Sequence, residues 1–183
     1  MIPWTPTTAL TETPWGPTQT KVEIAPGLVH VTTSRHGGFA VFDERWAALL
    51  AMFPTLVSFT GAGWLEEDCD WALAVLAWPD LFSPRVVYNA CRTALHRTDG
   101  CMSEAWQASD HGRRITAIAD AFAATVVDQW ETGGMSAPVD GHPKGSWAVH
   151  LTRNGERKVL VFPAYPTKQF YPDAEIAALP VAA

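Results

Sequence analysis

The sequence predicts an α+β fold in a single domain over residues 21–183, preceded by an extended arm over residues 1–20. Three observations carry this. Runs rich in β-branched residues stand near both ends, at 28–33 (LVHVTT) and 147–162 (WAVHLTRNGERKVLVF). Segments with helical spacing fill the middle. The order of strands, helices and strands suits one mixed domain better than alternating βα units. At 183 residues with 48% hydrophobic content the chain can bury a core, and 17% charged residues is too few for general disorder.

Residues 1–20 are rich in proline and threonine around Trp4 and Trp15. They read as an arm laid against the body with the two tryptophans as anchors. Residues 21–25 form a short strand, and Ala25-Pro26-Gly27 turns the chain into the strand at 28–33. Ser34-Arg35-His36-Gly37-Gly38 is the next turn, with Phe39–Phe42 as the partner strand, so the N-terminal part is a hairpin. Asp43–Phe53 has helix formers with acids in its first turn, and Pro54 stops it.

After a loop at 57–63, the segment 64–78 (WLEEDCDWALAVLAW) reads as one helix, ended by Pro79. Leu65, Cys69, Leu73 and Leu76 share a stripe, and the acids cluster near its start. The run 71–78 is apolar all round, which makes it central; as a buried strand it would show the same lack of period. Ser83-Pro84 opens the next helix as N-cap and first residue, with Val87, Ala90, Cys91, Ala94 and Leu95 as its buried stripe and Thr98-Asp99-Gly100 closing it. Residues 103–131 form one helix, or two with a break at Asp110–Gly112, ended by Gly133-Gly134. Asn154-Gly155 marks the turn of a C-terminal β-hairpin, and a short 173–179 segment finishes the chain.

The net charge of −6 argues against a direct, sequence-blind nucleic-acid binder, which needs Lys and Arg to displace counterions. An acidic protein suits a partner with a basic surface. Three cysteines, Cys69, Cys91 and Cys101, with no Cys-x-x-Cys pair, fit a reducing cytoplasmic setting and no disulfide framework. No signal-peptide pattern and no run of about 18 apolar residues occurs, so no membrane partner is expected. No cofactor is implied, because the common nucleotide and hydrolase signatures are missing. No metal is expected either: the six histidines sit in separate elements without ligand spacing.

Two short stretches hold candidate chemistry. His36 stands on a turn where two glycines let a ligand approach, and a histidine there can act as general base. The second stretch is Glu66-Glu67-Asp68-Cys69-Asp70-Trp71, where a carboxylate can orient an imidazole. Cys69 is a poor nucleophile candidate, since four neighbouring carboxylates oppose a thiolate. Polar clusters set in apolar surroundings need partners, so His36 or Arg35 is expected to contact Glu66, Glu67 or Asp68. Ser109-Asp110-His111-Gly112-Arg113-Arg114 reads as a capped helix start, with an anion site as the alternative.

The segment Pro14–Phe82, with its Ser/Thr-rich turn into His-Gly-Gly and its acidic EEDCDW, resembles the DUF7007 family of phage, plasmid and proteobacterial proteins. The family's turn is similar to STPSHGG, whereas Arg35 stands here in place of a small residue. The resemblance implies a mobile-element setting and brings no catalytic residues with it. Together with nine tryptophans and the acidic balance, it favours a phage or mobile-element accessory protein that binds a host or defence protein, in the manner of an anti-CRISPR inhibitor. Arg35, His36, Glu66, Glu67, Asp70 and Trp64 are the candidate binding residues. The alternative is a small hydrolase or transferase using His36 with Glu67 and Asp68 as catalytic groups.

Overall fold

The computed structural model describes residues 9–96, 101–136 and 141–182. The chain is an α+β protein that groups into two compact units, one ending at Phe122 and the other beginning at Ala123. Trp4 and the Thr98-Asp99-Gly100 stop lie outside the described residues.

The first unit opens with a two-strand hairpin, β1 (Glu12–Thr13) and β2 (Gly16–Pro17), whose turn is tied by Thr13 Oγ1 donating to the Gly16 carbonyl at 2.9 Å. An antiparallel sheet follows in the order β3 (Thr20–Ala25), β4 (Leu28–Thr32), β5 (Gly37–Val41) and β6 (Trp64–Glu66). Apolar side chains line both faces of its central strands. Leu28, Phe39, Val41 and Leu65 face the helices, while Val29, Val31, Ala40 and Phe42 pack with Leu10, Trp15 and Trp64 on the other side. Trp15 therefore covers the outer face, meeting Trp64 edge to face with ring centroids 5.6 Å apart.

The helices are α1 (Asp43–Met52), α2 (Trp71–Ala77), α3 (Pro84–Ala94), α4 (Glu104–Gln107) and α5 (Asp110–Val126). Every residue of α2 from Ala72 to Ala77 is buried, which is why its sequence shows no polar face. Among the described residues no helix is long and apolar enough to cross a membrane.

Four expectations change. The segment 64–78 is not one helix: its first three residues form β6, a turn follows, and α2 starts only at Trp71. Pairing of Gly38 with Glu66 and Phe39 with Leu65 decides this, because the ladder satisfies backbone groups that a frayed helical turn would leave open. Leu95 lies on the exposed side of α3, just past its last turn. The break in the 103–131 region falls between Gln107 and Asp110, where Ser109 Oγ accepts the Gly112 N–H at 3.0 Å and caps α5. Arg113 is held by Asp110 and Arg114 by Asp80, so that helix start is a cap with its cations engaged. Finally, Gly133 and Gly134 do not end a helix; they sit at a bulge inside a strand.

That strand belongs to the second unit, whose sheet runs β10 (Phe170–Tyr171), β7 (Trp130–Ser136), β8 (Trp147–Arg153), β9 (Glu156–Phe162). Asn154 and Gly155 take positive φ of 50° and 84° in the β8–β9 hairpin, the conformation that Asn-Gly favours. Trp130, Val149, Leu151, Leu160, Phe162, Tyr171 and Ile176 of the short helix α6 (Asp173–Ile176) form its core.

Cys91, on α3, is half-buried, and burial together with the Asp120 carboxylate pushes its thiol up to about 11. At pH 8 on the order of one Cys91 in a thousand is ionised, and the thiolate is the reactive form. Native Cys91 is therefore expected to react with a disulfide reagent far more slowly than it does in urea, read by mass spectrometry of the modified peptide. Equal native and denatured rates would contradict the packing of α3.

Candidate functional site

The turn between β4 and β5 is built around Thr33. Its buried hydroxyl donates to the His36 carbonyl at 2.9 Å and accepts the N–H groups of His36 (3.1 Å) and Arg35 (3.3 Å). The Thr33 N–H also reaches the His36 carbonyl, at 2.8 Å. The hydroxyl is thus spent inside the turn and does not face solvent. Two glycines follow because nothing larger fits. A Cβ on Gly37 would lie 2.8 Å from Glu67 Oε2. Gly38, at φ +150°, has the Leu65 carbonyl and the Trp15 ring against it.

Strand β6 delivers the acids. Glu66 is its last residue, paired with Gly38, and the Glu67 N–H continues the ladder to the Gly37 carbonyl at 3.1 Å. His36 Nδ1 lies 3.5 Å from Glu66 Oε1 and 3.6 Å from Glu67 Oε1. The Glu66 side chain is only 8% exposed, and its Oε2 accepts the Asp68 N–H at 2.8 Å. The structure therefore brings His36, Glu66 and Glu67 together. Asp68 contributes its backbone N–H, while its side chain stays exposed outside the cluster. Arg35 is also exposed and makes no ion pair among the described residues.

His30, on β4, meets Phe39 edge to face at 5.4 Å. Burial pushes its imidazole below the ordinary value, and the Glu67 carboxylate pulls it part of the way back.

Asp70 stands apart from these. It is 1% exposed, and its carboxylate accepts the Phe59 N–H at 2.9 Å. Cys69 Sγ lies 3.5 Å from its other oxygen. Asp70 is a support for the 57–63 loop and offers no surface to a partner. Ser58 Oγ donates to the Trp64 carbonyl at 2.6 Å, fixing the same loop to the other end of β6. Trp64 is half-buried under Trp15. This loop carries Phe59, 83% exposed, with Val57 exposed beside it in sequence. Sequence reasoning missed both; the available signal was a phenylalanine within a Ser/Thr/Gly loop, where no core position calls for one.

The model of a family described as a domain of unknown function, DUF7007, matches residues 8–126 of the 183. The match covers the arm hairpin, the whole first sheet, the His36 turn and α1 to α5. No curated protein and no solved structure matches the chain.

Proposed function

The chain belongs to the DUF7007 family, and we propose that this member is an accessory protein of a phage or other mobile element that acts by binding a host or defence protein, in the manner of an anti-CRISPR inhibitor. The observation that supports the reading is the 57–63 loop. A large aromatic side chain is held in water by a loop whose backbone is tied down by the buried Asp70 carboxylate and by Ser58. A fixed loop needs little ordering on association, and aromatic anchors supply most of the energy of protein interfaces. The net charge of −6 favours a partner with a basic surface, reached by electrostatic steering.

The test is a titration of the full chain against candidate defence effectors, with inhibition and binding read together. Saturation is expected near one copy per target. Phe59→Ala should weaken binding by about 2 kcal/mol or more, roughly thirty-fold in Kd, while His36→Ala should keep it.

A second reading is a small hydrolase or transferase using His36 with Glu67 and Asp68. The convergence of His36 on Glu66 and Glu67 favours it, although Asp68 stands outside that cluster. Its signature is activity far below one copy per target, abolished by His36→Ala in a folded protein, since losing a general base costs about 10²–10⁴ in rate. That result would replace the binding reading.

A further inference from the structure

We propose that His36, Glu66 and Glu67 form a binding site for a divalent transition-metal ion of the Zn²⁺ type. Adjacent residues in a strand point to opposite faces. Glu66 and Glu67 nevertheless converge: β6 ends at Glu66, the Glu67 N–H bonds the Gly37 carbonyl beside the His36 turn, and both carboxylates reach His36 Nδ1. One ligand atom from each of the three residues lies within 4.8 Å of the other two. Two carboxylates held this close favour a cation beside them.

The buried member points to the same conclusion. Glu66 has no Lys or Arg partner among the described residues. Its Oε2 is satisfied by the Asp68 N–H, but its Oε1 receives no hydrogen bond there and is aimed at His36 and Glu67. A carboxylate 92% removed from solvent needs partners at its oxygens, and an ion coordinated at Oε1 would add one beside His36.

The spacing also fits. Zn–N and Zn–O bonds of about 2.0–2.2 Å in a tetrahedron set the donor–donor edge at about 3.3 Å. The two edges from His36 Nδ1 measure 3.5 and 3.6 Å. Gly37 is part of the site, since a Cβ there would meet Glu67 Oε2 at 2.8 Å and push that ligand away. One imidazole with two carboxylates suits Zn²⁺ better than Mg²⁺ or Ca²⁺, which take all-oxygen shells. Three protein ligands leave a fourth position, and it opens toward solvent because the His36 side chain is 50% exposed.

The experiment is equilibrium dialysis of the full chain, first stripped with a chelator, against Zn²⁺ with about a hundredfold excess of Mg²⁺, the bound zinc being counted by elemental analysis. One zinc per chain is expected. His36→Ala and the isosteric Glu67→Gln should each weaken binding by at least about tenfold, the least that losing even a supporting partner of a metal ligand costs. Asp68→Asn and Cys69→Ser should keep the wild-type affinity, since both residues lie outside the cluster. Absence of bound zinc overturns the proposal. So does zinc that is lost with Cys69→Ser, or lost equally with Asp68→Asn and Glu67→Gln. None of these readouts depends on a protein partner, so failure here leaves the partner-binding reading untouched.

Discussion

Gly38→Ala is expected to destabilise the first unit more than any other single-methyl addition in the sheet. At φ +150° only glycine is comfortable, and a non-glycine residue there costs about 1–3 kcal/mol. The new Cβ would also overlap the Leu65 carbonyl and sit 2.8 Å from Trp15 Cη2. Neither is a flexible chain end: one is the backbone of the paired strand, the other a ring packed on Trp64. Relief requires β6 to move off β5, and overpacking of this kind costs about another 1–3 kcal/mol. Because β6 carries Glu66, the same shift takes that carboxylate away from His36. Gly61→Ala is the control. Gly61 also has positive φ, at +96°, but open space around it, so it reports the backbone cost without the clash. Urea unfolding of the two variants beside wild type measures the difference. A Gly38→Ala protein no less stable than Gly61→Ala would mean that β6 does not lie against β5 as described.

The same pairing explains what could and could not be read from the residues alone. The β4–β5 hairpin was legible because LVHVTT and FAVF flank the Ser34–Gly38 turn signal, although Gly37 and Gly38 already belong to β5, and the β8–β9 hairpin because Asn-Gly dictates its turn locally. Helix α3 was legible from Ser83-Pro84, although the Ser83 hydroxyl makes no capping bond. Strand β6 was not legible. Three residues are too short to show a period, and the acids after them imitate a helix start. Only a partner far away in sequence makes Trp64–Glu66 extended. Strand β7 failed for a related reason: Gly133-Gly134 resembles a helix stop, and the bulge that accommodates them exists only opposite β8. At the candidate site, the rule that a buried charge needs a partner was enough to bring the His36 turn to the acids. It could not rank four acids on one short segment. That ranking depends on where the strand ends, which buries Glu66, aims Glu67 back at the turn and leaves Asp68 in solvent. The proposed metal site was not legible for the same cause: its members lie thirty residues apart and share no local ligand motif, so their meeting could be expected but not their ligand geometry.

In the second unit, Trp130→Ala is expected to cost about 3–5 kcal/mol, the range for truncating a buried aromatic to alanine. Against a typical total of about 5–15 kcal/mol that is enough to unfold a marginal domain at growth temperature. Trp130 is fully buried and is the largest side chain of a core of seven buried residues. Its ring is also the surface on which two cations rest, Arg153 at 4.3 Å and Lys158 at 4.1 Å from the centroid. Its indole N–H donates to Asp173 Oδ1 at 2.7 Å, and Arg153 reaches the other oxygen of that carboxylate, also at 2.7 Å. Trp130→Phe separates the two roles. It keeps most of the apolar volume and an aromatic face for the cations, but it removes the N–H, so its loss should be much smaller than that of the alanine variant. It should also change the acid limb. The Asp173 carboxyl is held below its ordinary 3.8, first by the hydrogen bond from Arg153 and next by that from Trp130. A depressed carboxyl contributes stability that is complete above the unfolded value and is lost as pH falls through the folded value. Wild type should therefore lose stability as pH falls below about 3.8, and Trp130→Phe should lose less over the same interval because one of the two hydrogen bonds is gone. Urea midpoints from pH 7 to pH 2.5 for both proteins test this. An unchanged acid limb in Trp130→Phe would detach Asp173 from the indole, and a Trp130→Ala protein as stable as wild type would remove Trp130 from the core.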